Sequence, residues 1–122
     1  MMAELFKTPS IVKAAGNKPK EIREYFGRVN SKSEEISIAY MISPGGWKEP
    51  AQTPDFNEYT LVLKGILLVE TKGNTCKVKT GQAILVRKGE WVRYSTPHKA
   101  GAEYIAVCIP AFSPDIVNRD NE

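Results

Sequence analysis

The sequence contains very few of the side chains on which metal centres, disulfide frameworks and common hydrolase sites are built. Its 122 residues include one histidine and two cysteines. A Ser-His-Asp or Cys-His site would depend on His98, which lies in the loop TPHKAG, and no convincing set of partners can be assembled around it. Small secreted domains that need disulfides usually carry more cysteines. We therefore expect Cys108, in the apolar run YIAVCIP, to be a buried free thiol, with a disulfide to Cys76 as the alternative.

Long apolar segments, phosphate-binding loops and blocks of like charge are missing as well. No apolar run approaches the length that spans a bilayer, and residues 1–10 lack the basic start and apolar core of a signal peptide. Neither G-x-G-x-x-G nor a P-loop is present. The net charge is +3, with lysines and arginines scattered among acidic residues. We therefore expect a cytoplasmic protein without nucleic-acid or membrane partners.

The residues that are present predict one all-β domain spanning residues 1–122. Hydrophobic residues make up 42% of the chain and charged residues 25%, as in ordinary globular domains. Apolar and β-branched segments are separated by turns at residues 64–65, 72–75, 80–81 and 88–89, a spacing typical of sandwiches and barrels. We predict strands at residues 10–13, 25–29, 36–42, 58–63, 66–71, 76–79, 82–87, 91–96 and 102–109, and no helix of ordinary length.

Residues 45–65, GGWKEPAQTPDFNEYTLVLKG, have a spacing that resembles the first motif of the cupins, a family of small jelly-roll barrels. That motif is Gly, five residues, H-x-H, three or four residues, Glu, six residues, Gly. The matching positions here are Gly45, Ala51-Gln52-Thr53, Glu58 and Gly65.

The second cupin motif is Gly, five residues, P-x-G, two residues, His, three residues, Asn. Gly81 and Gly89 match its glycines, while Arg87, Val92 and Thr96 replace its proline, histidine and asparagine. The resemblance covers residues 36–109. It implies a cupin-type double-stranded β-helix (a jelly-roll barrel), with residues 1–30 as an N-terminal arm and residues 110–122 as a tail.

Typical cupins hold a transition metal with three histidines and one glutamate, and this chain keeps only the glutamate, Glu58. The three histidine positions hold Ala51, Thr53 and Val92, none of which is a strong ligand. His98 lies six residues beyond the last of these positions, which strand geometry would place past the barrel mouth. We predict that the protein binds no metal and needs no cofactor, which disfavours a metal-dependent dioxygenase.

Strand alternation identifies the side chains that would face the barrel interior. If Glu58 points inward, Thr60 and Val62 do too. If Val92 points inward, so does Tyr94. On the last strand we favour Tyr104 and its alternating neighbours, because Glu103 is better left in water. The predicted cavity residues are Tyr40, Ala51, Thr53, Glu58, Thr60, Val62, Val92, Tyr94, Tyr104 and Cys108.

Such a cavity suits a small polar or semi-polar molecule. Glu58 has two interpretations of similar weight. It is either a carboxyl with a raised pKa that anchors a ligand or transfers protons, or a structural glutamate paired with Arg93, Lys48 or a tyrosine. Our first hypothesis is a metal-free cupin that binds a small molecule, and the resemblance implies a homodimer. The alternative is a metal-independent isomerase, epimerase or lyase acting on a sugar or small acid, with Glu58 and one tyrosine as its acid–base pair, Tyr94 first and Tyr40 or Tyr104 as the other candidates. A third hypothesis is a scaffold whose cavity is filled by side chains.

Overall fold

The computed structural model describes residues 2–121, which form antiparallel β-strands and loops without a helix in that range. Nine strands follow in chain order. They are β1 (Ser10–Val12), β2 (Glu21–Phe26), β3 (Ser37–Ser43), β4 (Trp47–Lys48), β5 (Asn57–Thr71), β6 (Asn74–Lys79), β7 (Ala83–Val86), β8 (Val92–Thr96) and β9 (Ala102–Ile109). The all-β prediction is confirmed, and β9 coincides with the predicted strand 102–109. The predicted strand 25–29 is wrong in position, since β2 begins at Glu21 and ends before Gly27, whose φ is +153°.

Two sheets curl around one interior. The first has the order β1-β2-β3-β9-β5-β7, and the second consists of β6, β5, β8 and β4. All pairings are antiparallel. Because β1 and β2 continue the first sheet, the barrel includes residues outside the 36–109 range of the sequence resemblance.

The long strand β5 joins the two sheets, and it corrects the predicted turn at residues 64–65. Its first half pairs with β7 and β9, and its second half pairs with β6 and β8. The crossing point is Gly65, where φ is +78° and a Cβ would lie 2.1 Å from the carbonyl oxygen of Gly101. Glycine therefore marks a bend inside a continuous strand, where close backbone approach leaves no space for a side chain.

The interior is filled by an apolar cluster at one end and a smaller one at the other. The larger cluster includes Trp47, Leu67 and Val69, and the smaller one includes Phe56 and Val117. A cavity is lined by Tyr94 and Tyr104 of the larger cluster and by Cys108 and Phe112 of the smaller one. Within residues 2–121 no helix is long and apolar enough to cross a membrane.

Candidate functional site

A cavity of about 60 Å³ lies inside the barrel and is lined by side chains of both sheets. At ~10–15 Å³ per water molecule, this is room for about four to six waters. Its polar lining comes from β-strands and from three loop regions that flank them. These lining residues are Lys20, Glu24, Glu49, Gln52, Glu58, Tyr94, Tyr104, Cys108 and Arg119.

Glu58, near the start of β5, faces this cavity rather than bulk water. Burial, and after it the negative charge of Glu49, raise the pKa of its carboxyl from 4.5 to about 7. The positive charges of Lys20 and Arg119 lower this pKa, but by less than burial raises it. No ion pair or side-chain hydrogen bond to Glu58 is found in the part of the chain described, which removes the paired structural role considered above. Near neutral pH the Glu58 carboxyl is therefore protonated in part of the molecules and ionised in the others.

Glu49 is a second buried carboxyl that sequence reasoning missed. It follows β4, lines the same cavity, and has a raised pKa because burial disfavours its charged form. Strand alternation could have identified it, because Glu49 lies two residues before Ala51, which was predicted to face inward. The negative charge of Glu49 disfavours ionisation of Glu58, so the two carboxyls are coupled electrostatically.

Gln52 also lines the cavity, and its position corrects the alignment of the first motif. Counted from Gly46, with three residues before Glu58, Gln52 takes the first histidine position and Pro54 the second. The motif allows that spacing, and the structure supports it because Gln52 faces the cavity while neither Ala51 nor Thr53 lines it. Gln52 forms isolated bridges with Val92 and Arg119 instead of a continuous strand, so the period of two fails here.

Tyr94, Tyr104 and Cys108 lie on the cavity wall, as alternation along β8 and β9 predicted. The hydroxyls of Tyr104 and Ser43 are hydrogen-bonded at 2.8 Å. The Tyr94 hydroxyl is buried and has no hydrogen-bond partner among the described residues. Burial raises the pKa of Tyr94 and of Cys108 well above their usual values, so both stay protonated at neutral pH. Tyr94 thus supplies a neutral hydroxyl that a bound molecule could satisfy.

Two cations also reach the cavity, and sequence reasoning predicted neither. Lys20, just before β2, places its Nζ 4.1 Å from the centre of the Trp47 ring and 5.1 Å from that of Tyr104. Arg119, in the C-terminal segment, donates a hydrogen bond of 2.9 Å from Nη1 to Oε1 of Gln52. Both cations come from segments far from the motifs in sequence, and only the fold brings them to Glu49 and Glu58.

The other predicted cavity residues lie elsewhere. The prediction that Tyr40 faces the interior is wrong, because Ala39 and Met41 are the residues of this part of β3 that line the cavity. The Tyr40 hydroxyl lies on the opposite face and donates a hydrogen bond to the Glu103 carboxylate. Thr53 is only half-buried and also lies outside the cavity. The remaining predicted residues are buried but do not line it, namely Ala51, Thr60, Val62 and Val92.

The residues present do not fit the metal centre that the cupin fold implies. Val92 occupies a histidine position and is fully buried in the apolar cluster without offering a donor. In residues 2–121 no three His, Cys, Asp or Glu side chains are arranged to hold a metal ion. His98 is exposed on the loop between β8 and β9. Two carboxyls and one amide are a poor set for a transition metal, which prefers imidazole or thiolate in such sites.

Three comparisons place this geometry among known proteins. A Myxococcus xanthus (strain DK1622) protein named endoribonuclease YbeY is 35% identical over 101 residues, which are 83% of this chain and 34% of that protein. The polyketide cyclase RemF of Streptomyces resistomycificus has a TM-score of 0.76 at 17% identity, covering 100% of this chain and 87% of its own. The EutQ protein of Clostridium difficile has a TM-score of 0.63 at 22% identity, covering 75% and 63%.

These similarities cover different shares of the related proteins. The chain spans about a third of the Myxococcus protein and under two thirds of the EutQ chain. The two solved structures share the fold at low identity. The model of the cupin domain family matches residues 39–108, which include both motifs and most of the cavity-bearing strands. With the jelly-roll barrel, this match shows that the chain belongs to the cupin family.

Proposed function

We propose that this cupin binds a small organic molecule inside its barrel, with Glu58 and Tyr94 as its polar anchors. The observation that carries the proposal is a cavity lined both by a carboxyl with a pKa of about 7 and by an unpartnered tyrosine hydroxyl, one from each sheet. A buried polar group without a partner costs about 1–3 kcal/mol. A ligand that hydrogen-bonds Tyr94 would recover that cost.

The alternative function is catalysis without a metal, as an isomerase, epimerase or lyase acting on a sugar or small acid. The pKa of about 7 at Glu58 favours it, because a general acid–base is most effective when its pKa is near the operating pH. In an isomerisation, ionised Glu58 would take a proton from the carbon beside a carbonyl. Tyr94 would donate a hydrogen bond to the oxygen of the resulting enolate. With a hydroxyl on the carbon that loses its proton, the hydroxyl proton would pass to the enolate oxygen by way of Tyr94, and Glu58 would return the carbon-bound proton to the former carbonyl carbon, so that no other reactant is needed. RemF, a polyketide cyclase by name, supports the idea that this fold can house chemistry on an organic compound.

A ligand screen by thermal shift tests the binding proposal. Small sugars, acids, amines and polyols would be added to the wild-type chain and to Tyr94→Phe and Glu58→Gln. A stabilising compound should lose most of its effect in both variants. Matched controls are Tyr25→Phe and Glu35→Gln, which change the same groups outside the cavity. Stabilisation that survives in both cavity variants would refute the proposed anchors.

Deuterium exchange distinguishes catalysis from binding. Candidate sugars and acids would be incubated with the protein in D₂O and followed by proton NMR. Loss of a C–H signal with the wild-type chain, absent with Glu58→Gln, would support the alternative function. Stabilisation by a compound whose C–H signals never exchange would support binding alone.

We also propose that the chain forms a homodimer through the outer apolar face of the first sheet. This face consists of Tyr59, Leu61, Leu63, Ala83, Leu85, Ile105, Val107 and Ile109. Leu61 is 44% exposed and Tyr59 42%, although both lie at the centre of a sheet. A contiguous apolar surface on neighbouring strands marks an interaction site. A second copy would offer the same uncharged surface, as a two-fold interface requires.

The remaining partner and location proposals follow from charge and thiols. Three carboxyls and only two cations line the cavity, which makes it a poor site for phosphate, so we propose no nucleic-acid partner despite the name of the Myxococcus relative. Cys76 and Cys108 are free thiols in the structure, which supports the proposed cytoplasmic location.

A further inference from the structure

The groups left unsatisfied in the cavity are mainly hydrogen-bond acceptors. In the described range, no side chain forms an ion pair or a side-chain hydrogen bond with Glu49 or Glu58. The Tyr94 hydroxyl, buried and without a partner, can accept a hydrogen bond through its oxygen. A ligand that carries donors and positive charge would satisfy all three. An anion would instead add negative charge beside two carboxyls.

The chain already places one ammonium group at this position. The Nζ of Lys20 lies over the Trp47 ring at 4.1 Å and near the Tyr104 ring at 5.1 Å. Two aromatic rings around an ammonium are the arrangement with which proteins recognise organic cations. The same ammonium acts electrostatically on both Glu49 and Glu58. Lys20 therefore shows where a cation is stable in this barrel.

Lys20 is held at the cavity by contacts with two aromatic rings, including a hydrogen bond with the Tyr104 hydroxyl. It ends the connection of residues 13–20 between β1 and β2, which has no regular structure. No salt bridge in the described chain fixes its Nζ, and its four-carbon stem can swing outward. Arg119, by contrast, is tied to Gln52 and lies 6.0 Å from the Phe112 ring. The flexible stem lets Lys20 leave the cavity, whereas Arg119 has one of its five N–H groups engaged by Gln52.

We infer that the molecule bound in this barrel is a small organic cation, a primary or methylated amine, which takes the place of the Lys20 ammonium. This inference rests on the proposed binding function and specifies its ligand class. The cavity of about 60 Å³ limits the ligand to a few non-hydrogen atoms beyond the ammonium. Lys20 then acts as a tethered competitor that keeps the site neutralised until an amine enters.

The test compares three probes of similar size, namely ethylamine, ethanol and acetate. Each is titrated at pH 8 and constant ionic strength, and binding is measured by thermal shift and by NMR. The variant Lys20→Met keeps the apolar stem against Trp47 but removes the competing charge. We expect ethylammonium to bind Lys20→Met at least tenfold more tightly than the wild type, because a tethered competitor acts at a high effective concentration. Lys18→Met, in the same connection but exposed, should bind as the wild type does.

Further variants protect the test against misfolding and distinguish its outcomes. Lys20→Gln replaces Lys20→Met if that variant fails to fold. Adding Glu49→Gln to either Lys20 variant should abolish the tighter binding of ethylammonium. Stabilisation by acetate that is lost in Lys20→Met would overturn the inference, because Lys20 would then be the counter-ion of an anion. Equal ethylammonium affinity in wild type and Lys20→Met would overturn it too. Ethanol or acetate binding that depends on Tyr94 would leave the proposed function standing without this ligand class, whereas no binding by any compound to either protein would overturn both.

Discussion

Replacing Glu58 by glutamine should make the protein more stable at pH 8 and leave its stability almost unchanged at pH 5. The wild-type carboxyl has its pKa raised from 4.5 to about 7 by burial and by Glu49. At ~1.4 kcal/mol for each tenfold change, ionising this group in the folded chain costs about 3 kcal/mol more than in the unfolded chain. Glutamine has nearly the same shape and never ionises. It should therefore remove that cost.

The sign follows from proton binding. Between pH 4.5 and about 7 the folded chain holds the Glu58 proton more tightly than the unfolded chain does. The contribution of Glu58 is thus fully favourable below pH 4.5, is lost as the pH rises towards 7, and stays lost above it. Other carboxyls titrate in the opposite sense, as at Glu70, where the hydrogen bond from Arg93 lowers the pKa. The difference between variant and wild type isolates the effect of Glu58.

Urea denaturation at pH 5, 6, 7 and 8 measures this difference as a change in the free energy of unfolding. The variant should gain up to about 3 kcal/mol relative to the wild type across this range, with the slope m unchanged. Glu35→Gln, at an exposed position, should show no such trend. A difference that does not vary with pH, or a variant less stable at pH 8, would refute the argument and return Glu58 to a paired structural role.

Three other predictions concern the barrel itself. Gly65→Ala should cost more than 2 kcal/mol of stability, since it adds a backbone clash to a strained φ, whereas Gly73→Ala, with a similar φ and open space, should cost only about 1 kcal/mol. Thr60→Val should be neutral or stabilising by about 1 kcal/mol in thermal unfolding, because the Thr60 Oγ1 is buried without a partner in the described chain. Leu61→Asp should convert a dimer to monomers in analytical ultracentrifugation, while Thr75→Asp on β6 should not. A Leu61→Asp chain that still sediments as a dimer would show that the outer apolar face is not the interface.

Local rules identified much of the barrel because they act over a few residues. The period of two along β8 and β9 correctly placed Tyr94, Tyr104 and Cys108 on the cavity wall. The same rule failed for Tyr40, because two faces of β3 are both rich in apolar residues and alternation alone does not say which is inside. It failed again at Gln52, where the chain forms single bridges and no regular pleat exists.

The sequence by itself determined that this chain is a cupin barrel and that the histidines of the usual metal centre are replaced. Glycine spacing and strand alternation depend on residues only a few positions apart. A jelly roll contains many such strands and turns, so its pattern can be recognised in the sequence. Only the tertiary structure decided which groups surround Glu58. Lys20, Glu49 and Arg119 reach Glu58 from segments separated by up to 99 positions in the chain. Their burial and mutual charges, which set the pKa of Glu58, exist only once the barrel has closed.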